Sequence, residues 1–370
     1  MLKGIKSKYI LEDILSYLKK KVKMKLIVHN KKLQSKLNIS LNNYKHFGKI
    51  VIELFPMKLK DDEEYKYINI KENDNESLYH IYFNDNEKEW TYKGFLNFFK
   101  NLFRKKYYIT RDDKVNKIKI IIDYQIYSLE EIFRECTALE KINFIAFDND
   151  HITNMAGMFY KCENLKEINF YNIDTSKVTD MKEMFWFCSK IERLDLKNFD
   201  LRNVTNIKGM FFRCESLKDL NFLILDTSNA EQMSDIFYEC ESLNELNIYN
   251  ADTYDENEIN KIYQKYPSLK DLNILNFNTS KATDMSFLFD RCKLLKKIHI
   301  INFDTSHAKQ MDRIFCKCKS LSDINLSKFI VDKDISVYAA FWECQPHLIS
   351  KIKNEVLYID IKGRKAFKLN

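Results

Sequence analysis

Cysteine, histidine and aspartate supply most of the chemistry this chain could carry, and their spacing decides which chemistry is open to them. Eight of the nine cysteines (Cys136, Cys162, Cys188, Cys214, Cys240, Cys292, Cys318 and Cys344) stand 26 residues apart, with one step of 52. Such a column could pair into disulfides, hold a metal or present a nucleophile. On neighbouring packed helices the thiols would sit about 8–10 Å apart, beyond the roughly 7 Å Cα separation a disulfide spans. Cys316 and Cys318 form a CxC pair without a second pair at zinc spacing. The histidines (His29, His46, His80, His151, His299, His307, His347) contain no HExxH and no Cys/His dyad spacing. Aspartate recurs at Asp148, Asp174, Asp200, Asp226, Asp252 and Asp304, but the tight glycine turns of calcium-binding repeats are missing. The thiols are expected to be reduced and buried, with the off-register Cys316 the most accessible. No catalytic residue, cofactor or metal is expected, and the chain reads as a non-enzyme.

Composition narrows the function classes further. The 6 glycines include no GxG pair, so neither a dinucleotide-binding nor a Walker-type loop can be built. No apolar run reaches the roughly 18 residues of a membrane span, and Met1–Lys6 opens no signal-like apolar region. A cytoplasmic location is expected, with the cell surface as the alternative. The net charge of +7 is uneven: residues 1–50 carry 13 Lys against 2 acids, and the remainder is near neutral. That basic end suits an acidic partner, or is a solvated lysine face. A protein partner is expected rather than nucleic acid, and the chain is expected to be a monomer.

The cysteine frame sets the architecture. Three residues before each register point stands an aromatic (Phe133, Phe159, Phe185, Phe211, Phe237, Tyr263, Phe289, Phe315, Phe341), with Tyr266 at the skipped cysteine position. Leu or Ile follows at plus three, and apolar residues at plus six and plus eight flank a polar one, which is strand alternation. Asp-Thr-Ser comes next, as at Asp174–Ser176, with side chains that bond to nearby backbone in turns. Met181, Met184, Phe185 and Cys188 then fall at i, i+3, i+4 and i+7, the spacing of one helix face. The unit thus reads as strand, turn and short helix. Nine copies in one frame predict an α/β solenoid with a continuous parallel sheet, because a 26-residue unit buries its apolar face only by stacking.

Met181–Leu196 (MKEMFWFCSKIERLDL) and Met285–Ile300 (MSFLFDRCKLLKKIHI) resemble the BspA-like class of leucine-rich repeats, over about residues 127–346. The resemblance implies a binding scaffold with no catalytic residues, and BspA-like proteins suggest surface adhesion as the alternative role. Residues 250–267 depart from the repeat, but Tyr263 and Tyr266 keep its register, which predicts a local variation rather than a break.

Strand alternation turns two columns of each repeat toward the open face of the sheet. With two tyrosines beside them, they form the candidate partner-binding face: Glu167, Asn169, Tyr171, Arg193, Asp195, Asp219, Asn221, Glu245, Asn247, Tyr249, Asp271, Asn273, Lys297 and His299. An asparagine ladder bonding repeat to repeat is the other reading of the same column.

Residues 1–48 read as a basic helical segment. Tyr9–Leu18 (YILEDILSYL) and Met24–Leu33 (MKLIVHNKKL) resemble an F-box, which implies a Skp-type adaptor contacted by Ile14, Leu15, Leu18 and Leu33; a plain helical lead-in explains the same residues. Residues 49–123 predict a small mixed α+β domain, with strands at 49–55, 65–71 and 78–83 and a Phe-rich helix over 93–103, covering the first edge of the solenoid. Residues 124–348 form the repeats and 349–370 a C-terminal cap.

Overall fold

A computed structural model describes residues 49–59, 63–70, 79–84, 107–123, 126–148, 151–196, 198–221, 227–243, 245–248, 278–300, 304–324 and 335–355. The expected helices at 1–48 and 93–103 and residues 356–370 of the expected C-terminal cap lie outside them. The strands are β1 (Lys49–Pro56), β2 (Tyr65–Lys66), β3 (Tyr79–Phe83), β4 (Tyr108–Ile109), β5 (Ile118–Asp123), β6 (Leu139–Phe147), β7 (Glu167–Phe170), β8 (Arg193–Asp195), β9 (Asp219–Asn221), β10 (Glu245–Ile248), β11 (Lys297–Ile300) and β12 (Asp323–Ile324). Among the described residues one α-helix is present, α1 (Pro346–Glu355).

The expected α/β solenoid is overturned, since the segment read as the repeat helix is a chain of turns. Glu183 and Phe187 have φ of 56° and 62°, and the equivalent residues of every described copy are also left-handed. An α-helix needs φ near −63° throughout. Met184 N–H donates to Met181 O (3.3 Å) and Cys188 N–H to Phe185 O (3.1 Å), which are three-residue turn bonds. Alternate amides leave the copy altogether: those of Met181, Glu183, Phe185 and Phe187 donate to the carbonyls of Asn206, Lys208, Met210 and Phe212 at 2.7–2.9 Å. Turns of this spacing return positions i, i+3, i+4 and i+7 to the same side, so the apolar pattern imitated a helix.

The expected continuous sheet is also absent from the described residues. Their strands fall into four sheets: β3-β5-β1-β6-β7, β8-β9, β10-β11-β12 and β2-β4. What runs the length of the repeats is a series of single parallel bridges from Ser128 through Asn154, Asp180, Asn206, Gln232, Asp284 and Gln310 to Ser336.

That series steps directly from Gln232 to Asp284. Phe237 N–H donates to Leu288 O (2.9 Å), and the Phe237 and Phe289 rings lie 5.4 Å apart. The coil ending at Cys240 therefore rests on the one ending at Cys292, and the described stack has eight coils where nine copies were expected. The misfit is chemical. In the common frame Tyr266 falls at the fully buried cysteine position, and Glu256 at the position of Val178, Val204, Ala230, Ala282 and Ala308, all buried. Pro267 follows at once. A phenol ring overfills a thiol's space, and an unpaired carboxylate at an alanine site is costlier still.

Two columns hold the interior together. Eight phenylalanines, Phe133 to Phe341, stack with centroids 5.1–5.6 Å apart. Beside them each thiol from Cys162 to Cys344 donates to the phenylalanine carbonyl one coil back, at 2.9 Å from Cys162 to Phe133 O and 3.2 Å from Cys214 to Phe185 O. Coils this close invalidate the helix-spacing argument against disulfides. The cysteines are nonetheless free, and the thiols of this column bond to main chain instead.

The N-terminal strands cover the first coil. β1 lies antiparallel between β5 and β6, burying Ile50, Ile52 and Leu54 with Ile118, Ile120 and Ile122. Asn69 completes the cover: its N–H donates to Ile132 O (2.7 Å) and its Nδ2 to Glu131 O (3.0 Å). The Ile132 carbonyl sits where a preceding coil would bond, so Asn69 takes that coil's place.

Candidate partner-binding face

Strand alternation sends Ile168, Phe170 and Leu194 into the core and turns Glu167, Asn169, Arg193 and Asp195 to solvent. Asp219 is exposed beside them and Tyr171, 57% exposed, lies at the end of β7. Parallel register places Lys141 beside Glu167 and Arg193 beside Asp219. Their side chains pair along the stack at 2.6 Å and 2.9 Å. A second line of pairs runs next to it, Lys166 to Glu140 (2.6 Å) and Lys218 to Glu192 (2.9 Å). The Lys218 ammonium holds the Glu192 carboxyl below its ordinary range. The charges thus neutralise one another between coils and leave a polar face of low net charge.

Asn221, Glu245, Asn247, Lys297 and His299 occupy the corresponding positions of β9, β10 and β11, with Glu245 opposite Lys297 and Asn247 opposite His299. Tyr249, Asp271 and Asn273, and the adaptor candidates Ile14, Leu15, Leu18 and Leu33, lie outside the described residues. The asparagine ladder does not start at Asn143, whose Oδ1 is buried without a hydrogen-bond partner.

The Asp-Thr-Ser turns bond locally and between coils. Asp174 Oδ1 accepts from Ser176 N–H (3.0 Å) and Oγ–H (2.6 Å), while the buried Thr175 hydroxyl donates to Asp200 O (3.0 Å) one coil on. Asp200 is held below the ordinary carboxylate range by its hydrogen bonds from Arg202. Among the described residues no three His, Cys, Asp or Glu side chains converge as a metal group.

Sequence reasoning missed the turn-side surface. Tyr160, Trp186, Phe212 and Tyr238, each two residues before a cysteine, stack at 5.9, 3.6 and 4.5 Å. The Arg134 guanidinium lies 4.0 Å over the Tyr160 ring. Stacking occupies the ring faces, so the column offers little to a sugar or base. Its recurrence at a 26-residue interval was the available signal. Beyond Tyr238 the column continues as Asp290 and Cys316, both fully buried. Cys316, expected to be the accessible thiol, is therefore enclosed, and burial beside Asp290 pushes it up to about 11. Burial also raises the Asp290 carboxyl; Arg313 Nε lies 2.9 Å away but out of hydrogen-bond alignment.

Among the described residues no helix is long and apolar enough to cross a membrane. No curated protein and no solved structure matches the chain. One family model matches twice, over residues 127–248 and 231–354, the two matches overlapping on the coil that ends at Cys240. Together they span more than half of the sequence and fall on the stacked coils, so the chain belongs to the family described as Mycoplasma protein of unknown function, DUF285.

Proposed function

We propose that the protein is a non-enzymatic scaffold that takes a protein partner on the strand face of its coils. One observation carries the reading: Glu167, Asn169, Arg193, Asp195 and Asp219 are presented outward on three successive strands, with Tyr171 as an exposed anchor. Ion pairs between coils hold three of the charged positions, Glu167, Arg193 and Asp219, in place before a partner arrives, which lowers the ordering cost of binding. Aromatic anchors at the centre of such faces commonly carry most of the affinity.

The test uses a photo-crosslinking residue at Asn169 or Asp195 and, as a control on another side of the coil, at Asn203. A partner should crosslink from the first two positions and not from the third. The variant Tyr171→Ala/Arg193→Glu should lose that partner while keeping its melting temperature. Retention by this variant, or equal crosslinking from Asn203, would overturn the reading.

A further inference from the structure

We propose that an apolar row on the outer face of β5, β1, β6 and β7 seats residues 8–18 of the same chain, so that the basic N-terminal segment straps across Tyr171. Val51 is only 7% exposed, yet it stands outside the core cluster that takes in its neighbours Ile50 and Ile52. Antiparallel register sets it opposite Ile121 of β5 on one side and Ala146 of β6 on the other. The register shift between Val51 and Ile52 makes Ile145 the extra residue of a β-bulge, with its side chain 46% exposed. Phe144 pairs with Phe170, which brings Tyr171 beside Ile145. Ile121, Val51, Ile145 and Tyr171 thus form one line across four strands, buried at Val51 and open at Ile145 and Tyr171.

The place where the chain enters the sheet favours this occupant. Lys49 opens β1, and its carbonyl accepts from Asp148 N–H (3.0 Å), so residue 48 departs from the same end of the sheet as the row. The chain after β3 departs from Phe83, at the opposite end and the opposite edge. Ile10, Leu11, Ile14, Leu15 and Leu18 have the spacing of one helix face. From Ile10 to Leu18 that face would run roughly 12 Å, and three strand spacings cover roughly 14 Å. Charge matches as well: Lys19, Lys20 and Lys21 follow the apolar face, while Asp148 and Asp174 stand just beyond Ile145 and Tyr171. The 30 residues between Leu18 and Lys49 reach roughly 30 Å as flexible chain. Tethering of this kind supplies roughly millimolar effective concentration, which fills even a weak site. On the reading that Tyr171 anchors a partner, the strap competes with that partner; the seat itself does not depend on that reading.

Disulfide trapping in the full-length protein tests the seat, because the native thiols are buried. Leu15→Cys with Ile145→Cys should link under mild oxidation about tenfold faster than Leu15→Cys with Asn203→Cys, which lies on another side of the coil. Mass spectrometry of the joined peptides identifies each link. Hydroxyl-radical footprinting gives a second readout without new cysteines. Tyr171 should be oxidised more slowly than Tyr338, which is 62% exposed. Ile14→Asp/Leu15→Asp should raise the Tyr171 rate about fivefold and leave that of Tyr338 unchanged, since a carboxylate cannot be buried on the row. Equal linking of the two cysteine pairs, or a Tyr171 rate that the double variant does not change, would overturn the proposal. Protection that fades on dilution would overturn it in favour of a second copy. None of these readouts involves a partner, so a partner retained by Tyr171→Ala/Arg193→Glu would refute the proposed function alone.

Discussion

Replacing Gly209 with alanine separates a turn from a helix by the sign of its effect. In a helix interior the change would stabilise by about 1 kcal/mol, because alanine is the better helix former. In the stack Gly209 has φ of +59°, and an added Cβ would lie 2.7 Å and 2.8 Å from Cζ3 and Cε3 of Trp186. Left-handed backbone costs an L-residue about 1–2 kcal/mol. Displacing Trp186 from the Phe212 ring, 3.6 Å away, removes about 0.5–1.5 kcal/mol more. The expected loss for Gly209→Ala is therefore about 2–3 kcal/mol. Gly157→Ala is the control: its φ is +58°, but its Cβ would meet the flexible Glu131 Cγ at 3.2 Å, so only the backbone cost applies. Urea unfolding followed by circular dichroism gives both values by linear extrapolation. In a Trp186→Ala background the penalty at Gly209 should fall to that at Gly157. A Gly209→Ala protein more stable than the parent would refute the turn geometry.

Phe211→Ala should cost about 3–5 kcal/mol, because it empties a site stacked 5.6 Å and 5.5 Å from Phe185 and Phe237; an unchanged unfolding midpoint would show that the column is not the core. Native thiol labelling should modify at most one cysteine, since burial pushes Cys162 up to about 12 and Cys316 to about 11, and rapid labelling of several would contradict the buried column. The Asp200 carboxyl titrates below its unfolded value, so its contribution to stability is present at neutral pH and lost as pH falls through its folded pKa. Arg202→Ala should return Asp200 toward the ordinary range by carboxyl NMR titration, and an unmoved titration would show that Arg202 is not the cause.

The columns were legible because packing enforces them. A 26-residue interval in Phe185, Phe211 and Phe237 has no explanation except stacking, and the structure stacks those rings. The turns were not legible, since their left-handed positions are filled by Glu183, Phe187 and Lys161 as readily as by Gly157 and Gly209. Backbone bonding between coils makes a non-glycine residue tolerable there, so composition carries no mark of it. The passed-over copy was visible in principle at Glu256, Tyr266 and Pro267. Frame continuity outweighed three misfits whose cost becomes clear only once the cysteine position is known to be fully buried. At the candidate face, alternation identified which residues point outward. The pairing of Lys141 with Glu167 and of Arg193 with Asp219 needed the strand register. The contact of Arg291 with Glu239, which Arg213 also meets, needed the 52-residue step as well.

Whether the repeat amides bond between coils or within a helix can be observed directly. Scalar couplings transmitted through hydrogen bonds in deuterated, doubly labelled protein connect each amide nitrogen to the carbonyl carbon it donates to. Phe185 N–H, 2.9 Å from Met210 O in the structure, should correlate with the Met210 carbonyl, and Glu183 with that of Lys208. A correlation from Phe185 to Met181, the helical i−4 partner, would contradict the stacked-turn architecture.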